Sequence, residues 1–160
     1  MLSESEIRFY HDNGYLVVSE VFSADEVAAL RRVTEEFVEK SRNVTENDDT
    51  YDLEDAHRPE QPMVRRLKTP DVIHETYRAA SRQAKVVEIV GQLIGPDVRY
   101  QTGKLNLKSA GGGAAVEWHQ DWAFYPHTND DLCAVGILLD DVDLENGPLM
   151  VAPGSHRGPT

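Results

Sequence analysis

An imidazole and a carboxylate stand two residues apart in Trp118-His119-Gln120-Asp121-Trp122. On an extended chain, side chains at i and i+2 share one face, so His119 and Asp121 can aim at one point while Gln120 faces away. A nitrogen and a carboxylate oxygen suit iron(II), and with one further histidine they form a facial triad. That triad leaves metal positions open for a bidentate 2-oxo acid and for oxygen. The same two side chains can equally form a hydrogen-bonded His/Asp pair, and the spacing alone leaves both readings open. His11, His57, His74 and His127 lack ligand spacing and read as surface or hydrogen-bonded histidines. His156 is the tempting third donor, but Pro153-Gly154 before it and Gly158-Pro159 after it are turn chemistry. It is read as a turn residue, and Arg157 as a solvated turn arginine.

The elements that must position this pair follow from periodicity and caps. Ser3 with Glu6, and Ser23 with Glu26, are capping-box signatures. The first opens a short helix stopped at Gly14; the second opens a helix to about Lys40 whose core stripe is Val27, Leu30, Val33 or Thr34, and Phe37. Tyr15-Leu16-Val17-Val18 reads as a strand between them. Residues 41–62 are acidic and weakly periodic, closed by Pro59 and Pro62. They are expected to be a solvated loop or, more sharply, a mobile cover over a substrate site. Residues 71–80 and 84–94 read as helices ending at Gly95-Pro96. Beyond them the pattern turns to strands at 98–102, 104–108, 116–121, 132–139 and 149–151, with Gly111-Gly112-Gly113 as a break. Helices first and strands afterwards predict an α+β fold with a mainly antiparallel, jelly-roll sheet.

Composition sets the outer limits. The chain of 160 residues is 40% apolar, enough to supply the core of a single domain. Its net charge of −12 disfavours nucleic acid and anionic membranes as partners. Cys133, the single cysteine, excludes a disulfide framework within the chain and a thiolate zinc site; its apolar neighbours make it a buried, inert thiol. Neither a leader nor an apolar run of membrane length is visible, so a cytoplasmic protein with no membrane partner is expected.

The motifs gain meaning from their order. Lys104, Lys108 and Gly111 precede Trp118-His119-Gln120-Asp121. Leu138-Leu139-Asp140-Asp141-Val142, Glu145-Asn146-Gly147-Pro148-Leu149 and Pro153-Gly154-Ser155-His156-Arg157 follow it. With Phe9-Tyr10 and Gly14-Tyr15-Leu16-Val17 near the start, this series resembles the phytanoyl-CoA dioxygenase family across essentially the whole chain. The resemblance implies N-terminal helices (about 1–96) packed on a cupin-like double-stranded β-helix (strands about 97–160). It implies Fe(II) and 2-oxoglutarate as cofactors, molecular oxygen as co-substrate, and oxidative decarboxylation to succinate coupled to hydroxylation of a small organic molecule. His119 and Asp121 match the family's first two iron ligands. Gln101, Lys68 and Ile137 fall at or near positions that line the 2-oxoglutarate site, and Trp122, Phe124 and Tyr125 could wall the substrate pocket. The family's third ligand, a downstream histidine, and the arginine that pairs with the distal carboxylate of 2-oxoglutarate do not fall within the 160 residues. The chain is therefore expected to be the N-terminal part of the fold, truncated after about half of the barrel. The alternative is a catalytically incomplete fragment or a binding module that keeps the β-helix without turnover. Substrate identity and oligomeric state are not legible at this level.

Overall fold

Ser3 and Ser23 open helices as their capping boxes predict. At each, the N–H of the glutamate three residues on donates to the serine Oγ (3.3 and 3.2 Å), and the serine N–H donates to that glutamate's Oε2 (2.7 Å in both). These helices are α1 (Glu4–Asn13) and α2 (Ala24–Lys40). The computed structural model describes every residue except Gly111, Gly112, Ala114, Pro126, Asp130 and Thr160; the glycine break expected at Gly111 and Gly112 lies outside the described residues.

The predicted stripe of α2 is the centre of the core. Leu30, Val33 and Phe37 are buried, and Val27 is half-buried. They pack with Tyr51, Val64, Leu67, Tyr77 and Ala80. Burial of each Leu- or Phe-sized side chain contributes about 1.5–3 kcal/mol. Polar tips inside this cluster are paired: the Tyr51 hydroxyl donates to the Phe37 carbonyl (2.9 Å), and the Thr34 and Tyr77 hydroxyls share a bond (2.9 Å).

The sheet behind α2 differs from the expected one. Its strands are β1 (Tyr51–Leu53), β2 (Val64–Lys68) and β3 (Lys104–Asn106), antiparallel in the order β1-β2-β3. Two of the three thus lie in the first half of the chain, β1 inside the stretch expected to be a loop and β2 just beyond it. β2 escaped the periodicity reading because Val64-Arg65-Arg66-Leu67 does not alternate. Val64 pairs with Leu53 and Leu67 with Tyr51, and the register shifts between them. This bulge lets Val64 and Leu67, three residues apart, both reach the core at 1% and 0% exposure.

Of the second-half segments expected as strands, only Lys104–Asn106 forms a ladder among the described residues; those at 98–102, 116–121, 132–139 and 149–151 do not. Nor do residues 15–18, where Val17 is 78% exposed. β-branched content makes a strand only where a neighbour supplies ladder bonds and a packing face. The later segment still docks on the helical half. Ile137 and Leu139 pack against the core, the Arg31 guanidinium donates to the Leu139 carbonyl, and it pairs with Asp140 at 3.2 Å.

The acidic stretch 41–62 is stapled rather than loose. Arg42 donates to the Pro59 and Glu60 carbonyls (2.6 and 3.1 Å). Asp48 accepts from the Thr50 and Tyr51 N–H groups (2.7 Å each), and Asn47 from that of Leu53 (2.8 Å). The expected helices at 71–80 and 84–94 appear as α3 (Pro70–Ile73), α4 (Glu75–Ala80) and α5 (Ala84–Ile94). No described helix is long and apolar enough to cross a membrane.

Candidate metal centre

Gln120 is extended (φ −108°, ψ 131°), and Asp121 opens the 3-10 turn Asp121–Ala123. One extended residue between them turns the His119 and Asp121 side chains to the same side. The His119 Nε2 lies 3.2 Å from the Asp121 Oδ1. The other ring nitrogen, Nδ1, is 2.6 Å from the Glu117 carbonyl oxygen. That oxygen can only accept, so Nδ1 carries the proton. In the neutral ring Nε2 then presents a lone pair to a carboxylate oxygen.

Two lone pairs facing each other at that distance repel unless a positive charge lies between them. A proton on Nε2 would supply it, and so would a metal ion. The residues fit the second. With bonds of about 2.1 Å, donors on adjacent corners of an octahedron lie about 3 Å apart. The backbone carbonyl on Nδ1 is the partner that metal-binding histidines typically have, fixing tautomer and ring direction. Both side chains keep about a third of their surface exposed (32% and 34%), leaving access for further ligands. Among the described residues no third His, Cys, Asp or Glu joins the pair.

Around the pair, Phe124 stands edge-on to the His119 ring, with centroids 5.4 Å apart at 82°. The turn is closed by N–H bonds from Phe124 and Tyr125 to the Asp121 carbonyl (3.0 and 3.1 Å). Trp122 donates its indole N–H to the Asn129 carbonyl (3.3 Å). The three candidate cofactor-lining residues are held otherwise. Lys68 Nζ pairs with Asp52 (2.9 Å) and donates to the Asp48 carbonyl (2.7 Å). The Gln101 side-chain oxygen accepts from Arg99 (3.0 Å), and Ile137 is half-buried against the core.

Two of the other histidines accept a backbone bond. His74 Nδ1 accepts from the Thr76 N–H (3.1 Å), and His57 Nδ1 from the Met63 N–H (3.0 Å). His156 and Arg157 are the residues whose role sequence reasoning missed. Both reach the last turn of α1: His156 Nε2 donates to the His11 carbonyl (3.1 Å), and Arg157 donates to the same oxygen (2.7 Å) and pairs with Asp12 (3.1 Å). The Gly154 N–H donates to the Asn13 carbonyl (2.8 Å). Donors at carbonyls that α1 leaves unpaired are favourable, and the Arg157 cation also suits the negative end of the helix dipole. The single signal available in sequence was the basic pair inside a turn, which names no partner. Cys133 is half-buried beside Tyr10. Burial pushes the thiol up, and burial followed by the neighbouring thiol pushes the Tyr10 phenol up to about 12.

Known proteins resemble the chain along most of its length. The family model described as phytanoyl-CoA dioxygenase (PhyH) matches residues 10–160. A protein of Stutzerimonas stutzeri described as a probable alpha-ketoglutarate-dependent hypophosphite dioxygenase is 35% identical over 158 residues, covering 99% of this chain and 54% of its own length. The L-proline trans-4-hydroxylase of Streptomyces griseoviridis is 42% identical over 93 residues, 53% of this chain and 35% of its own. The ectoine dioxygenase of Bordetella parapertussis is 28% identical over 167 residues, 98% and 50% respectively. The chain spans about half the length, or less, of these curated relatives.

Proposed function

The chain belongs to the phytanoyl-CoA dioxygenase family, and from that membership we propose that the protein is a non-haem iron(II), 2-oxoglutarate-dependent dioxygenase acting on a small polar molecule. The observation that carries this reading is the 3.2 Å approach of His119 Nε2 to Asp121 Oδ1 while Nδ1 is committed to the Glu117 carbonyl. His119 and Asp121 would hold the iron, which when bound supplies oxygen activation coupled to the decarboxylation of 2-oxoglutarate.

The chain's own residues have separable tasks. The Glu117 carbonyl orients the His119 ring through Nδ1, which leaves Nε2 as the nitrogen facing the metal. The Phe124 ring packs edge-on with the imidazole and limits its rotation. Trp122, Phe124 and Tyr125 are assigned to the substrate wall, and Gln101, Lys68 and Ile137 to the lining of the 2-oxoglutarate site. Lys68 would meet a carboxylate of that acid by exchanging part of its contact with Asp52. The names of the relatives, which point to hypophosphite, proline and ectoine, support a compact polar substrate. The surrounding fold is taken to be the family's double-stranded β-helix, with β3 on one of its strands.

Incubating the full-length protein with iron(II), 2-oxoglutarate and a panel of such compounds should release succinate, and His119→Ala or Asp121→Ala should reduce that release to background. Absence of succinate across the panel, together with failure to bind iron, would sink the proposal. A second reading, a binding module without turnover, draws on the two-donor set among the described residues. Tight stoichiometric iron with turnover would dispose of it.

A further inference from the structure

Residues 116–121 were expected to be held by a ladder, yet among the described residues they have none. Something else must fix the direction in which His119 and Asp121 project. The side chain between them is the one aimed the other way. The Gln120 amide Nε2 donates to the Ser155 carbonyl (2.9 Å) and to the Pro159 carbonyl (3.3 Å), 35 and 39 residues later. An amide NH2 has two protons, and both are used on one turn. That turn is fastened in its own right: Gly154, His156 and Arg157 bond to the last turn of α1.

On an extended segment, rotation about the chain axis carries residue i+1 one way and residues i and i+2 the other. Anchoring Gln120 on the far side therefore sets the angle at which the imidazole and carboxylate meet. Resting on the reading of those two groups as metal ligands, we infer that Gln120 is a positioning residue of the metal centre. It relays the rigidity of α1, through the turn 154–159, to His119 and Asp121. It touches neither metal nor substrate.

Cobalt(II), whose visible spectrum reports its ligand geometry, is the probe, titrated into the protein in full. Gln120→Glu keeps the shape but replaces two donors with acceptors that face carbonyls; Gln120→Leu removes polarity at similar volume. Each should weaken cobalt(II) binding about 10–100-fold, the usual cost of losing a group that orients a ligand, and broaden the spectrum, with the metal-free melting midpoint unchanged. Arg157→Ala, which loosens the turn from α1, should weaken binding in the wild-type background and add little to Gln120→Glu, because both act along one path.

His119→Ala and Asp121→Ala serve as controls. If they leave cobalt affinity intact, the metal-ligand reading itself fails. If they abolish binding while Gln120→Glu and Gln120→Leu bind as wild type, this inference is overturned and the metal reading stands. Should both Gln120 variants unfold, Arg157→Ala decides: weakened binding in a folded protein supports the relay, and unchanged binding refutes it.

Discussion

Gly14 carries two demands that no other residue type meets. Its φ is +81°, and a Cβ there would lie 2.3 Å from the His156 Nδ1. Gly14→Ala combines left-handed backbone strain with a ring that must move, so it should destabilise the protein by about 1–3 kcal/mol. Urea midpoints would measure it. The double variant with His156→Ala should recover part of the loss, since the ring is gone and the backbone strain remains; full additivity would show that the ring does not matter. The left-handed stop was legible in Asn13-Gly14, because helix ends are local. The imidazole over it was not, because nothing in a sequence records which turn packs on which helix. The His119/Asp121 pair shows the same division. Convergence of His119 and Asp121 follows from i, i+2 geometry, whereas the Glu117 carbonyl that fixes the tautomer is a backbone group that any residue type supplies.

Helix α2 owes its start to a reciprocal cap. The Ser23 backbone N–H, then its side chain, holds the Glu26 carboxyl below its ordinary value. A carboxyl whose folded pKa is depressed stabilises the fold fully above its unfolded pKa and loses that contribution as pH falls through the folded one. Glu26→Ala should therefore lower the thermal midpoint at neutral pH by a few degrees and converge with wild type as the pH falls below the depressed folded pKa. Parallel melting curves at all pH values would count against the cap. Elements of this kind were readable: both capping boxes, the α2 stripe and α5 follow from local pattern, whereas the one helix read at 71–80 is split into α3 and α4 by the extended His74. β2 was not, because the bulge that buries both Val64 and Leu67 destroys the alternation that marks a strand. Residues 15–18 and 116–121 erred the other way, since β-branched composition is necessary for a ladder and not sufficient. The stretch 41–62 looked loose because the side chains that staple it, Arg42, Asn47 and Asp48, are the polar types that also fill solvated loops.

At the scale of the whole molecule, the family was more legible than the architecture. The motifs lie in one order along the chain and need no pairing partner to be recognised, while a sheet is defined by contacts between distant segments. One such contact has a kinetic consequence. The turn at Gly154 to Arg157 meets α1 across sequence separations of 145 and 146 residues at His156 and Arg157. Closing a loop of that size costs roughly 4 kcal/mol of chain entropy, far more than a half-exposed guanidinium pair returns. The clasp should thus form after the folding barrier is crossed. Arg157→Ala should leave the refolding arm of a chevron unmoved and raise the unfolding rate about threefold; a slowed refolding arm would place the clasp in the nucleus instead. A molecule built this way is sealed last, and opens first, at the seam between α1 and the turn 154–157.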